Sequence, residues 1–315
     1  MSKQIKYTLE EIMESEIEET PPHIPGILWK QDNVIILGDA KIGKSLLSLQ
    51  LALSLTSGKK FLDSYEVLQQ NKVLYVQAEG KMYETFSRVK KMTKEVDHVR
   101  GNLIWLYLPA IPMDKEDSCE KLLKEIGDFT PDIIFFDPLY MMASTGSLKD
   151  DDVAIRIVAN LNKIKTHFGA TIILNHHQHR TKRDNHGSKI EEGDESIFGS
   201  FVWRAWPDHV MMFQKGRGGK HERKLTCETQ RSGNVVEEMK LQLLQPDPVL
   251  FEIIDSNTTS SNDVLKYIEN KKEVGEEDLK EKFRNVGEAT LLRALRKLRL
   301  ERKVSKKNGI YHYNS

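Results

Sequence analysis

The chain has 315 residues, balances 47 Lys and Arg against 47 Asp and Glu, and holds two cysteines. That length supports one large domain or two ordinary ones with a sizeable buried core. Cys119 and Cys227 lie too far apart to suggest a disulfide framework or thiolate metal cluster, and no apolar run approaches membrane-spanning length.

The first twenty residues, MSKQIKYTLEEIMESEIEET, carry six Glu against two Lys and lack the apolar core of a signal peptide. Residues 1–22 read as an acidic N-terminal segment of a soluble, cytoplasmic chain with no membrane partner. Charge is segregated, because residues 280–307 carry eleven Lys and Arg against three Glu. A neutral total thus leaves nucleic acid open as a partner for the basic end.

The stretch GDAKIGKS, residues 38–45, lies between the apolar run Val34-Ile35-Ile36-Leu37 and the helix-like LLSLQLALSL. Its spacing, G-x-x-x-x-G-K-S, is the P-loop pattern. Gly38 and Gly43 let the backbone curl, so that N–H groups along Asp39, Ala40, Lys41, Ile42 and into Leu46 can face phosphate oxygens. Lys44 brings positive charge to the β and γ phosphates, and Ser45 offers a hydroxyl to Mg²⁺. The helix that opens near Lys44 adds its positive N-terminal end. The pattern marks a nucleoside triphosphate site.

Strands are predicted over residues 33–37, 72–77, 102–108, 132–137 and 170–175, with helices near 44–57, 81–96, 117–127 and 150–168. Continuous Val/Ile/Leu runs indicate strands covered on both faces, as in a mostly parallel α/β sheet. PDIIFFDPL ends its apolar run at Asp137, the Walker B arrangement for an acid that reaches the metal. VLYVQAEG places Glu79 just past another strand, where a carboxylate can polarise water or simply sit in a solvated turn.

Beyond residue 208 the runs HVMMFQ, RKLTCETQ, VEEMKLQLL and VLFEII predict antiparallel strands that extend the sheet. Residues 255–261 form a polar linker. Three helices follow, over 262–270, 276–283 and 287–300, and then the hairpin signal Asn308-Gly309, the pattern of a winged helix-turn-helix over 262–315. Helical spacing sends Leu291, Leu292, Leu295 and Leu298 to a core, leaving Arg293, Arg296, Lys297 and Arg299 on a basic face suited to DNA or to protein docking.

In their order, ILGDAKIGKSLLSLQLALSLTSGKKFLD, VLYVQAEG, PDIIFFDPL and TIILNHHQH give the chain a resemblance to RecA-type hexamer-forming ATPases, especially the RepA-like group related to DnaB helicases. The resemblance covers about residues 24–254 and implies a RecA-like P-loop ATPase domain over 23–254, using ATP and Mg²⁺ in a ring, typically hexameric. It implies that Lys44 and Glu79 are catalytic and that His176 senses the γ-phosphate at the end of its strand. Structural or metal roles for His176, His177 and His179 stay open beside that reading.

The same resemblance turns the long polar loop 178–200 toward a central channel, where Arg180, Lys182, Arg183 and Lys189 would pair with single-stranded DNA phosphates. Arg231, in KLTCETQRSGN, falls at the position of a residue that stabilises a neighbour's transition state, although Thr229 replaces the lysine that relatives carry beside it; Arg217 is its rival. The function so implied is a DNA-acting ATPase and helicase-like motor in replication or recombination of a plasmid, phage or mobile element. The alternative is an ATP-regulated DNA-binding regulator or adaptor without unwinding activity. No dedicated DnaB-type N-terminal domain is expected before the core.

Overall fold

The computed structural model describes residues 8–14, 21–93, 101–108, 110–144, 147–178, 199–217, 219–230, 238–245, 249–254, 261–284, 288–300, 302–307 and 309–314. A short helix, α1 (Leu9–Glu14), precedes a two-stranded ribbon, β1 (Pro22–Ile24) and β2 (Leu28–Trp29). The core follows as β3 (Asn33–Gly38), α2 (Lys44–Ser57), β4 (Val73–Gln77), α3 (Met82–Met92), β5 (Leu103–Tyr107), α4 (Ser118–Ile126), β6 (Ile133–Asp137), α5 (Asp151–Phe168) and β7 (Thr171–His177). After α6 (Val202–Ala205) come β8 (His209–Lys215), β9 (Glu222–Gln230), β10 (Glu238–Leu244) and β11 (Leu250–Ile253).

These strands form one nine-stranded sheet in the order β11-β10-β9-β8-β3-β7-β6-β4-β5. The six from β8 to β5 run parallel, and β9, β10 and β11 extend the sheet antiparallel. One expectation is corrected. The run HVMMFQ, residues 209–214, predicted as the first antiparallel strand, pairs parallel with β3, Val34 opposite His209 and Leu37 opposite Met212. The long connection from β7 to β8 gives the chain room for the crossover that a parallel pair needs.

The apolar runs fill both faces, as predicted. Val34, Ile36, Tyr75, Phe135 and Ile173 pack with α2, while Ile35, Leu37, Leu74, Phe136, Ile172 and Leu174 pack with α4 and α5. α2 is buried nearly all round. Its Gln50 exchanges two 2.8 Å hydrogen bonds with the Phe251 backbone, which ties the helix to edge strand β11.

His23 closes the ribbon over this core at 2% exposure, its Nδ1 lying 2.8 Å from Asn71 Oδ1 and its Nε2 3.0 Å from the Thr171 hydroxyl. Burial pushes its pKa down from 6.5 to about 4. Between those values the unfolded chain binds a proton that the folded chain refuses, so stability falls as pH drops from 6.5 toward 4 and is flat in this respect above 6.5. The expected loss is about 3 kcal/mol. Urea titrations across that window measure it, and His23→Gln should flatten the slope.

The C-terminal residues form α7 (Ser261–Lys271), β12 (Glu273–Gly275), α8 (Glu276–Lys282), α9 (Glu288–Leu300), β13 (Val304–Lys307) and β14 (Ile310–Tyr313). Val264, Ile268, Leu279, Leu291, Leu295, Leu298 and Tyr311 make a separate small core beneath a sheet ordered β12-β14-β13. Lys307 pairs with Ile310, so a two-residue connection joins β13 to β14, with Gly309 at φ 79°. Leu292, predicted to face the core, is 42% exposed, because Ala294 rather than Leu292 completes the buried stripe. Most of the linker, residues 255–260, lies outside the described residues. No helix among the described residues is long and apolar enough to cross a membrane.

Candidate nucleotide-binding site

The parallel register aligns four strand ends: Gly38 with His177, and Gln77 with Asp137 on the neighbouring pair. Carboxyl ends of parallel strands are where open α/β sheets hold ligands. The P-loop turns off β3 there, and its glycines are sterically required. A Cβ at Gly38 would lie 2.2 Å from the Phe213 carbonyl oxygen of β8, and Gly43 takes φ +110° with the Phe251 ring 3.0 Å from any Cβ.

Lys44 opens α2 at 4% exposure. Its ammonium donates to the carbonyls of Gly38 (2.8 Å) and Asp39 (2.9 Å) and lies 2.9 Å from His177 Nδ1. Burial pulls its pKa down to about 8, opposed by the charges of Asp137, Asp39 and Glu79. His177 is also held below its ordinary value, by burial and then by the Lys44 charge, so it meets the ammonium as a neutral acceptor.

The two histidines at the expected sensor position lie on opposite sides of the sheet. His176 is 2% exposed, and its ring faces Trp203 at 6.3 Å on the α5 side of the sheet. Its successor His177 faces the P-loop and the Tyr140 ring, 5.5 Å away. Strand alternation explains the split: Asn175, on the same side as His177, accepts a hydrogen bond from Ser48 of α2 at 2.8 Å. Among the described residues no group of three or more His, Cys, Asp or Glu could hold a metal; His179 is outside them.

Asp137 ends β6 and accepts a 2.7 Å hydrogen bond from Tyr75, a fully buried phenol stacked on Trp105 (4.7 Å) and Phe135 (5.4 Å). Burial and the Asp137 charge hold that phenol protonated, far above its ordinary range, so it remains a donor. Glu79 is exposed, but its backbone is fixed. Gln77 Nε2 donates to the Glu79 carbonyl (2.7 Å), Trp105 donates to Gln77 Oε1 (3.1 Å), and Tyr107 donates to the Gly80 carbonyl (2.7 Å). Burial, then a hydrogen bond to Glu79, pushes the Tyr140 phenol up to about 12.

Ser45, Glu79, Arg88, Asp137, Tyr140 and His177 line one cavity of about 610 Å³ beside the P-loop. Its hard oxygen donors, the Ser45 hydroxyl and the Asp137 carboxylate, suit Mg²⁺ completed by water and phosphate oxygens. Tyr75, Tyr140 and Arg88 were not among the expected site residues. An aromatic in an apolar run reads as core, and Arg88 reads as one cation on an exposed helix.

The predicted DNA-contacting residues Arg180, Lys182, Arg183 and Lys189 lie outside the described residues, as does Arg231. The segment before that loop is tied to the P-loop, since the Gln178 N–H donates to the Gly38 carbonyl at 3.0 Å. Gln230, which precedes Arg231, pairs with His209 at the start of β8, level with Val34 and away from the P-loop edge. Arg217 follows β8 and is exposed at the P-loop edge, where its neighbour Arg223 donates to the Ile42 carbonyl at 2.8 Å.

A family model described as an AAA domain matches residues 3–183. Among solved structures, one described as an ATPase domain is similar with TM-score 0.53 and 12% identity, over 72% of this chain and 86% of that one. A KaiC-like protein, PH0186 from Pyrococcus horikoshii OT3, gives TM-score 0.51 and 11% identity, over 76% of this chain and 99% of that one. No curated protein matches the chain. With a P-loop motif, an acid at the end of β6 and a mostly parallel sheet of RecA-like fold, the chain belongs to the AAA domain family.

Proposed function

We propose that this protein is a Mg²⁺-dependent ATP hydrolase acting on DNA as a ring-forming, helicase-like motor, in replication or recombination of a plasmid, phage or other mobile element. The observation that carries the reading is the convergence of Ser45, Glu79, Asp137 and His177 on one cavity beside Lys44. DNA action and ring assembly rest on the sequence resemblance over residues 24–254.

Each side chain has a distinct task. Lys44 clamps the β and γ phosphates, exchanging backbone carbonyls for phosphate oxygens. Ser45 and Asp137 would hold Mg²⁺, which when bound neutralises phosphate charge. Glu79 takes the proton of the attacking water, with the Tyr140 phenol lining the same cavity. His177, not His176, is the γ-phosphate sensor in this reading. It shares Lys44 with the incoming phosphate and directly precedes Gln178, whose N–H is tied to Gly38. A change at the phosphate therefore reaches the loop bearing Arg180, Lys182, Arg183 and Lys189.

Steady-state hydrolysis with and without single-stranded DNA tests the proposal. Hydrolysis by the wild type should require Mg²⁺ and rise with DNA. His177→Ala should keep nucleotide binding while lowering kcat about 10- to 100-fold and losing the DNA response. His176→Ala should lower the melting temperature and leave kcat of the folded enzyme near normal. Full DNA stimulation in the His177 variant would reassign the sensor, and absence of any hydrolysis would overturn the ATPase reading.

A further inference from the structure

A second concave site lies in the C-terminal unit, between helix α9 and the β13–β14 hairpin, with a volume of about 700 Å³. Its walls carry four cations: Arg296 and Arg299 from the helix, Arg302 from the turn after it, and Lys306 from the hairpin. No carboxylate is among the described residues that line it. Arg299, Arg302 and Lys306 are exposed.

Local hydrogen bonds fix the backbone of the turn that bears Arg302. Arg302 turns the chain from α9 toward β13 at φ 57°, and its carbonyl accepts from Asn314 Nδ2 at 2.9 Å. Asn314 Oδ1 in turn accepts from the Ser305 hydroxyl at 2.9 Å, so the C-terminal strand braces the turn that bears the arginine. Two cations have neighbouring acids outside the groove: Lys306 lies 2.5 Å from Glu276, and Arg296 lies 3.5 Å from Asp63. These ion pairs are partly exposed and thus weak enough to yield to a polyanion.

We propose that this groove binds the phosphodiester backbone of duplex nucleic acid, independently of the ATP site. Guanidinium forks on one wall and an ammonium on the other suit a run of phosphates, which a single anionic side chain would not span. The choice of duplex over single strand follows from the aromatic inventory. Single-strand grooves present open rings on which bases stack. The aromatic lining this groove is Tyr311 of the hairpin, which is 3% exposed with the Lys306 ammonium 4.9 Å from its ring centre. Among the described residues the walls thus meet a backbone and offer bases no open ring. The basic face is redrawn accordingly: Arg296 and Arg299 stay, Arg302 and Lys306 join them, and the side chains of Arg293 and Lys297 lie outside the described residues.

Fluorescence anisotropy of the full chain on a labelled random-sequence duplex, and on one of its strands, tests this. Four phosphate contacts predict a slope of log K against log salt of about −3 to −4. Arg299→Ala with Arg302→Ala should weaken duplex binding about tenfold or more at 0.1 M salt and flatten the slope by about 2. Arg299→Lys with Arg302→Lys should restore most of both. Single-strand stimulation of ATP hydrolysis should be unchanged in the alanine pair, which also reports intact folding and keeps this test separate from that of the ATPase. Wild-type protein that binds no duplex, an alanine pair that binds duplex normally, or equal losses on duplex and single strand would each overturn the proposal. A groove that serves an acidic protein instead would give the first of these results.

Discussion

Lys44→Ala should lower ATP turnover by about a thousandfold or more, the scale on which a charge clamping transferring phosphates acts. The magnitude follows from where the ammonium sits. It is buried at the junction of β3 and α2, with two backbone carbonyls and His177 as its partners. Alanine removes the charge that meets phosphate and leaves those acceptors facing the cavity. A pH series on the wild type checks the same group without mutation. With its pKa drawn down to about 8, Lys44 is mostly charged at pH 7 and loses its proton in the nucleotide-free site as pH rises through 8. Binding ATP must then restore the proton, so the KM for ATP should rise by up to tenfold per pH unit above 8. A flat KM between pH 7.5 and about 9.5, or near-normal turnover in the alanine variant, would show that Lys44 is not the phosphate clamp.

The parts of this site legible in the sequence are those whose chemistry is local in the chain. The P-loop spacing over 38–45 and the acid after IIFF both declare themselves because strand, turn and ligand are consecutive. Glu79 needed the family resemblance, since an exposed acid after a strand has no distinctive spacing. His176 and His177 show where sequence stops. In a strand buried on both faces, apolar residues do not alternate, so TIILNHH gives no sign of which histidine points toward α2. Only the register with β3 and the Ser48–Asn175 hydrogen bond settle the parity. Tyr75 is hidden for a related reason: VLYVQ reads as uniform core until the fold brings its phenol to Asp137, 62 residues away in sequence. The parallel pairing of β8 was likewise hidden, because a short apolar run carries no mark of strand direction.

Arg231→Ala should slow ATP hydrolysis on the order of 10³-fold while sparing ATP binding, provided that its guanidinium meets the γ-phosphate of another subunit. The strand register of the residue before it bears on the trans geometry. Gln230 is level with Val34, four strand residues before Gly38, which is roughly 13 Å along the sheet, and β8 lies between β9 and β3 laterally. Gln230 at that end of β9 is thus set back from the P-loop edge, which favours action on a nucleotide held by a neighbour. Arg217, the rival for the same task, lies past the P-loop end of β8. Mixing separates the two. Arg231→Ala subunits keep an intact P-loop, and Lys44→Ala subunits keep Arg231. Where the two meet, the ATP of the first faces the arginine of the second, so mixed assemblies should regain hydrolysis that neither variant shows alone. Arg217→Ala run in parallel decides between the two arginines, because only the variant that lacks the acting one should regain activity on mixing. When exchange of labelled subunits is demonstrated and the Arg231 mixture still stays inactive, the shared site is refuted, and a self-contained ATPase active site is the structure's remaining reading.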